Sequence, residues 1–162
     1  MTDLSSLSSL ERALTFYEVY HSEWRNKLIH FIFVPILLYT GFSMVYYFAP
    51  YITISAFIGY SVYYIYVDPV IGLSYVPIML MMINNVKSIS FLYAFLIHVS
   101  SWIVQILSHK YFEGNAPALT KGLFQAITIA PLFTWYELFR IFGYRKIFFN
   151  RIETNAKLIQ EK

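Results

Sequence analysis

Residues 28–48 read LIHFIFVPILLYTGFSMVYYF, and this stretch decides the fold class. It contains no charged side chain, and its length matches the about 20 apolar residues with which a helix crosses bilayer hydrocarbon. The whole chain is 58% hydrophobic and only 13% charged, whereas soluble domains carry about 25% charged residues. That balance leaves too little charge to cover a water-facing surface. We therefore predict an all-α integral membrane helical bundle.

Working outward from this stretch, the apolar pattern predicts four full spans. The helix-breaking pair Asp68-Pro69 stops the second span, and Asn84, Asn85 and Lys87 separate the third from the fourth. Each span is close to the length that crosses a bilayer. The four spans cover about residues 27–48, 51–67, 70–86 and 88–108.

A further apolar segment, GLFQAITIAPLFTWYELFRIF (residues 122–142), is long enough to span but contains Pro131 and Glu137. A fifth full span would place the basic C-terminal tail on the side opposite the basic N-terminal region. That arrangement conflicts with the rule that basic residues flank spans on the cytosolic side. We therefore predict a re-entrant or interfacial helix pair broken near Pro131, with a fifth span as the alternative.

The N-terminal region is predicted to form an amphipathic helix at the membrane interface. Ser8 and Glu11 have the spacing of a capping box ahead of the apolar run. Basic residues crowd both ends of the chain, so both termini are predicted to be cytosolic. The predicted organisation is a single membrane-embedded domain (1–162) with an interfacial helix (1–26), a membrane core (27–143) and a basic cytosolic tail (144–162).

Composition excludes several classes of function. The chain has no cysteine, so it holds no disulfide, thiolate metal site or iron–sulfur cluster. It has no GxSxG, Walker A or dinucleotide glycine pattern, and its few carboxylates argue against a glycosidase. The small net charge of +3 is explained by topology, so no nucleic-acid partner is predicted.

All four histidines of the chain, His21, His30, His98 and His109, lie in or beside apolar segments. Polar side chains that can bind metal are costly in hydrocarbon unless they are paired or coordinated. In the predicted topology the first span starts, and the fourth ends, on the cytosolic side. We therefore expect His21, His30 and His109 at one membrane boundary.

Spacing limits how these side chains can meet. His21 and His30 are nine residues apart, which would place them on opposite faces of a continuous helix. A break near residues 22–24 is therefore required if both side chains are to face one point. His98 and His109 fall on one helix stripe but about 16 Å apart. His98 is therefore expected to serve a second ion or to line a pocket.

Five further residues are predicted to support the histidines or the substrate. They are Tyr17, Asn26, Trp102, Gln105 and Glu113. The first two lie one helical turn before His21 and His30, and the next two share the helix face of His98. The last stands four residues after His109, where its carboxylate is suited to ligate an ion or to fix an imidazole tautomer.

The residues by themselves leave the chemistry open. There is no HExxH motif and no histidine pair at i, i+4, and imidazole ligands suit zinc, copper, nickel or iron. One alternative is a structural membrane protein whose histidines hydrogen-bond its helices together. Another is an electron-transfer protein that binds haem through two axial histidines. A transporter is less favoured because no internal repeat is visible.

Two strings carry a family resemblance. FYEVYHSEWRNKLIHFIFVPI (residues 16–36) follows YxxYHxxxxNxxxHxxxxP, and SWIVQILSHKYFEGNAPAL (residues 101–119) follows WxxQFxGHxxFExxxPAL. Over residues 16 to about 143 the chain resembles the 2-hydroxy fatty acid dioxygenase (Mpo1-like) family of small polytopic membrane proteins. Ile106 and Ser108 replace the phenylalanine and glycine of the second signature. This departure is expected to alter packing more than ligation.

The resemblance implies an iron(II)-dependent dioxygenase that performs alpha-oxidation, shortening 2-hydroxy fatty acids by one carbon with O₂. It implies that Fe²⁺ is held by His21, His30 and His109, which are then the catalytic residues. It adds His98 as a further metal-ligand candidate. Iron sites with histidine ligands and open positions meet the needs of such chemistry.

The resemblance also indicates where the substrate and the protein lie. Asn26, Gln105 and Lys110 are candidates for holding the substrate carboxylate. The membrane is the endoplasmic reticulum if the host is eukaryotic and the inner membrane if it is bacterial. The bilayer, the fatty acid and O₂ are the implied partners, and no protein partner is indicated.

Overall fold

The computed structural model describes residues 7–114 and 127–161. Within these ranges the regular structure is helical and no strand occurs, which confirms the all-α prediction. A π turn, His109–Glu113, continues directly from α5. The helices are α1 (Ser9–Tyr20), α2 (Trp24–Phe48), α3 (Pro50–Val67), α4 (Pro69–Asn84), α5 (Phe91–Ser108), α6 (Ala130–Ile141) and α7 (Lys146–Gln160).

The predicted capping box opens α1. The Ser8 hydroxyl accepts from the Glu11 N–H at 3.2 Å, and the Glu11 carboxylate accepts from the Ser8 N–H at 3.0 Å. These bonds satisfy two backbone donors that a helix start otherwise leaves unpaired. The helix ends at Tyr20, within the predicted segment 1–26, because His21 leaves the helical conformation, and α2 begins at Trp24.

Two helices of the described part are long and apolar enough to cross a membrane, Trp24–Phe48 and Phe91–Glu113. Many of their large apolar side chains are exposed, which fits contact with lipid. Pro69–Asn84 has only 16 residues, about 24 Å of helix against about 30 Å of hydrocarbon. The predicted count of four spans therefore remains a prediction.

The chain divides into two compact units, one built from Met1–Phe31 with Ile106–Lys162 and the other from Ile32–Gln105. In the first unit α1 packs against α6 and α7. Its core holds Leu14 from α1, Phe133 and Tyr136 from α6, and Phe149 and Ile152 from α7, all nearly inaccessible. Helix α1, which precedes the first histidine, is thus fixed by the C-terminal segment.

In the second unit α3 and α4 form a tight pair. Asp68 caps α4 by accepting from the Val70 and Ile71 N–H groups, and Pro69 begins the helix where a missing N–H costs nothing. Gly72 lies against the backbone of Tyr64 and Ile65 at the end of α3. The backbones of α3 and α4 are therefore in direct contact next to the connection between the two helices.

The predicted break near Pro131 is present. Residues 127 and 128 are helical, Ile129 lies in a turn, and α6 begins at Ala130 with Pro131 in its first turn. Residues 122–126 of the same segment lie outside the described residues, so its membrane path stays a prediction. The predicted basic tail forms α7, whose apolar face is buried in the first unit.

Candidate metal centre

A three-residue loop (21–23) between α1 and α2 sets the position of the first histidine. His21 terminates α1 with φ −135° and ψ 57°, outside the helical region. Helix α2 then begins at Trp24 in a new direction and carries His30 on its second turn. The predicted break is confirmed, and it lets two side chains nine residues apart face each other.

The π turn His109–Glu113 sets the position of the third histidine. Gly114 ends the turn in the left-handed conformation at φ 69°, which glycine adopts without steric cost. Short π segments within α-helices occur frequently at functional sites, because they change the direction of the side chains that follow. Here the segment begins at His109 and ends at Glu113.

The rings of His21, His30 and His109 are in mutual contact. Their centroids lie 4.5 Å (His21–His30), 4.6 Å (His21–His109) and 4.9 Å (His30–His109) apart, and each pair is close to perpendicular. All three side chains are buried. One ligand nitrogen from each lies within 4.8 Å of the others. We call this group the histidine cluster.

Backbone carbonyls fix the tautomers of two of these rings. The Nδ1 atoms of His21 and His30 lie 2.9 Å from the Tyr17 and Asn26 carbonyl oxygens. A carbonyl only accepts, so each Nδ1 carries the proton and each Nε2 keeps its lone pair. Burial lowers the pKa of His21 well below its usual value, so this ring is neutral at physiological pH.

Two buried ring nitrogens have no hydrogen-bond partner among the described residues, His21 Nε2 and His109 Nδ1. Leaving such atoms unpaired in a protein interior is unfavourable, and a metal ion removes that penalty. Metal–imidazole bonds are about 2.1 Å long, so two nitrogens on one ion lie up to about 4.2 Å apart. The three ligand nitrogens lie within 4.8 Å of one another, which is close to this separation. Three imidazole donors fit a transition metal.

Glu113 ties the two histidine-bearing segments together. Its carboxylate accepts from the Ser22 hydroxyl at 2.9 Å, the Glu23 N–H at 3.0 Å and the Asn26 side-chain amide at 3.0 Å. The Ser108 hydroxyl donates to the Asn26 side-chain oxygen at 2.6 Å. The loop 21–23, the start of α2 and the π turn are thus held by one network. Asn26 is fully buried at its centre.

Ser108 shows that one expectation from the sequence was incomplete. Its replacement of the signature's glycine was expected to change packing, but its hydroxyl adds a hydrogen bond that glycine cannot make. The residue precedes His109 directly, so this bond fixes the start of the π turn. Sequence reasoning missed this role because the partner, Asn26, is 82 positions away.

We expect Glu113→Ala to weaken metal binding by about 10- to 100-fold, the usual effect of removing a side chain that orients ligands. The loop at Ser22 and the amide of Asn26 would lose their shared acceptor. Ser108→Ala removes one bond of the same network and should have a smaller effect. Metal titration of the purified variants measures both, and equal affinity in Glu113→Ala and the parent would contradict the assignment.

Tyr17 forms one wall of the cluster. Its ring stacks on His21 with centroids 3.9 Å apart and an interplanar angle of 7°. Phe133 of α6 lies against both, at 4.4 Å from Tyr17 and 6.0 Å from His21. The sequence pattern predicts a role for Tyr17 but not for Phe133, because nothing in its apolar segment distinguishes Phe133 from its neighbours. These rings exclude water from one side of the cluster.

An ion network around the buried carboxylate of Glu18 adjoins this wall. Lys27 lies 2.6 Å from the Glu18 carboxylate and 5.7 Å from the centre of the Phe133 ring. Arg140 contacts Glu18 at 3.6 Å and also pairs with Glu137 and Glu153. Burial raises the pKa of Glu18 even though Lys27 opposes the change. The network joins α1, α2, α6 and α7, and the sequence did not predict it.

Of the other predicted residues, Lys110 is exposed in the first unit, whereas His98, Trp102 and Gln105 lie in the second unit. His98 has a partner at each ring nitrogen: Nδ1 lies 2.9 Å from the Thr40 hydroxyl, and Nε2 accepts from the Trp102 indole N–H at 3.1 Å. Gln105 donates to the Ser101 carbonyl. The cluster of three does not include His98, whose role as a ligand stays a prediction. Pro117, Ala118 and Leu119 of the second signature lie outside the described residues.

Comparison with known sequences identifies the family. The sequence model described as "2-hydroxy-palmitic acid dioxygenase Mpo1-like" matches residues 7–141. The chain belongs to this family. Within the Mpo1-like family it is 31% identical over 144 residues to the 2-hydroxy-palmitic acid dioxygenase MPO1 of Saccharomyces cerevisiae, covering 83% of each chain. No solved structure matches the chain.

The family match includes every residue of the histidine cluster and the network that supports it. It ends at residue 141, where α6 ends, so α7 lies beyond it. The resemblance carried by the two sequence signatures is therefore confirmed. The family to which the chain belongs includes a relative that is named as a dioxygenase.

Proposed function

We propose that this Mpo1-like protein is an iron(II)-dependent dioxygenase that converts 2-hydroxy fatty acids to fatty acids one carbon shorter. The observation that carries the proposal is the histidine cluster, three buried imidazoles in mutual contact, of which His21 and His109 each keep a ring nitrogen without a hydrogen-bond partner among the described residues. The similarity to a 2-hydroxy-palmitic acid dioxygenase supports the substrate class. His21, His30 and His109 are the proposed metal ligands.

The proposed reaction balances with O₂ as the only oxidant. The bond between the carboxyl carbon and the hydroxyl-bearing carbon breaks, the carboxyl carbon leaves as CO₂, and the hydroxyl-bearing carbon becomes the new carboxyl group. One water is released, so one O₂ accounts for all four electrons removed from the substrate. A bound ferrous ion supplies redox activation of O₂ and a Lewis-acidic centre for substrate oxygens.

The chain's own residues prepare this site. The Tyr17 and Asn26 carbonyls hold His21 and His30 with Nε2 free, and Glu113 holds the loop and π turn that carry His21 and His109. The rings of Tyr17 and Phe133 shield one side of the cluster from water, which favours electrostatic interactions within it. A metal ion held by these three histidines would have coordination positions left for substrate and O₂.

The same arrangement disfavours the haem alternative. Axial histidines of a haem lie on opposite faces of the macrocycle, whereas these three rings touch one another directly. A structural role, with histidines as interhelical hydrogen-bond partners, fits His98 but not His21 and His109, whose remaining nitrogens lack partners in the described part.

We further propose that the protein is a multi-pass membrane enzyme with cytosolic termini, in the endoplasmic reticulum of a eukaryote or the inner membrane of a bacterium. The two apolar helices of crossing length and the basic residues near both ends support this placement. An acyl chain would then reach the site from the bilayer. Single-site labelling of each terminus in sealed vesicles tests the orientation.

The test of the activity is anaerobic purification, metal analysis and turnover of 2-hydroxypalmitate after addition of iron(II). We expect stoichiometric iron and a product one carbon shorter, formed with consumption of O₂. Zinc(II) is the matched control because it accepts histidine ligands but has no redox chemistry. Product formation that continues in the zinc-loaded protein would overturn the proposal, as would the absence of product with iron.

A further inference from the structure

The turn between α6 and α7 presents an apolar surface to its surroundings. Ile141, Phe142 and Ile147 are 78%, 80% and 84% exposed, more than any other large apolar side chain described in the first unit. Scattered exposed apolar residues are ordinary, but a group on one turn indicates contact with a partner or a membrane. The three flank a short non-helical connection between Ile141 and Lys146.

The backbone of this turn is well fixed. The N–H groups of Gly143 and Tyr144 bond to the Arg140 and Phe139 carbonyls at 2.9 and 3.1 Å. Gly143 and Arg145 both have positive φ, 79° and 48°, which is uncommon for a residue such as arginine. The exposed apolar side chains are therefore held on a defined turn.

Cationic groups lie among the apolar ones. The Arg145 guanidinium lies 4.3 Å above the Phe148 ring, and Lys146 is exposed beside Ile147. A cavity of about 290 Å³ adjoins the turn, lined in part by Tyr144, Lys146 and Asn150. No ion pair is formed by Lys146 within the described ranges. The lysine thus offers this cavity a positive charge that no acidic side chain there neutralises.

From this combination we infer that the α6–α7 turn docks on an anionic lipid surface. Ile141, Phe142 and Ile147 enter the boundary between headgroups and acyl chains, and Lys146 contacts lipid phosphates. Apolar side chains flanked by basic ones are the pattern by which surface segments bind membranes that contain anionic lipids. The cavity beside Lys146 accommodates part of a headgroup.

Charge favours lipid over a second copy of the chain as the occupant. A symmetric dimer through this turn would place the same surface on both sides of the interface. The Lys146 side chains of the two copies would then approach each other, which is unfavourable when charges lose water. An anionic bilayer provides both the apolar layer and the opposite charge.

The absence of cysteine in the chain makes the test direct. Phe142→Cys carries an environment-sensitive fluorophore, and the full chain is reconstituted in phosphatidylcholine vesicles with or without phosphatidylserine. Lys157→Cys, ten residues beyond Ile147 on α7, is the matched exposed control. Neither position belongs to the histidine cluster, and the measurement involves neither iron nor turnover, so it is independent of the proposed function.

We expect the label at residue 142 to be quenched by acyl-brominated lipids several-fold more than the label at 157, and more strongly with phosphatidylserine. Lys146→Gln should remove most of the phosphatidylserine effect. Equal quenching at both positions, no dependence on anionic lipid, or energy transfer between differently labelled copies would each overturn the inference.

Discussion

Replacing His30 with glutamine is expected to abolish bound iron and to reduce turnover of 2-hydroxypalmitate by more than about 100-fold, beyond the loss typical of a supporting residue. His30 provides one of three nitrogens in the histidine cluster, and its ring is oriented by the Asn26 carbonyl. Only two of the three proposed imidazole ligands would remain to hold the ion. Metal analysis and product formation, measured on the same preparation, give the two readouts.

His98→Gln is the matched control for this substitution. Both nitrogens of His98 are engaged, with Thr40 and with Trp102, so it has no lone pair to offer an ion without breaking those contacts. We expect this variant to keep its iron and most of its activity. Iron retained in His30→Gln, or lost in His98→Gln with the fold intact, would contradict the assignment of ligands.

Gly72→Ala is expected to destabilise the second unit by at least about 3 kcal/mol, at the upper end of the cost of overpacking. A β-carbon at this position would lie 2.3 Å from the Ile65 nitrogen and 2.4 Å from the Tyr64 carbonyl carbon. These neighbours are backbone atoms and cannot rotate away, so α3 and α4 would have to separate. Thermal unfolding of the detergent-solubilised protein measures the loss.

Gly59→Ala provides the comparison, because no atom lies within 4 Å of a β-carbon built there. Alanine stabilises an exposed helix interior by up to about 1 kcal/mol relative to glycine. The expected order of unfolding temperatures is therefore Gly59→Ala at or above the parent and Gly72→Ala far below it. A small effect at residue 72 would mean that the α3–α4 contact is looser than described.

Local sequence signals predicted the helices and their breaks well. The capping box at Ser8 and Glu11, the stop at Asp68-Pro69 and the break near Pro131 depend on backbone chemistry within a few residues. The π turn was not predicted, because a helix of this kind differs from an α-helix only in hydrogen-bond register and leaves no compositional signal. The helical state of the tail was missed because its basic residues were interpreted through topology alone.

For the site, sequence identified the three histidines and three of their neighbours, Tyr17, Asn26 and Glu113, which all lie at the cluster. It also expected Glu113 to ligate the ion or fix an imidazole tautomer, whereas the tautomers of His21 and His30 are set by backbone carbonyls. The positions of Phe133 and of the ion pair between Glu18 and Lys27 could not be predicted from the sequence. Their contacts join distant segments, and such pairings depend on tertiary packing.

The choice of peptide carbonyls as partners for His21 and His30 has an evolutionary consequence. A side-chain acceptor disappears with a single base change, but every residue that replaces Tyr17 or Asn26 still supplies a main-chain oxygen in the same place. The tautomer and orientation of these two rings, which leave Nε2 free to bind a metal, are therefore robust to point substitution at residues 17 and 26. They are vulnerable instead to insertions and deletions, since adding or removing one residue between 17 and 21, or between 26 and 30, moves the oxygen out of line with the ring it serves.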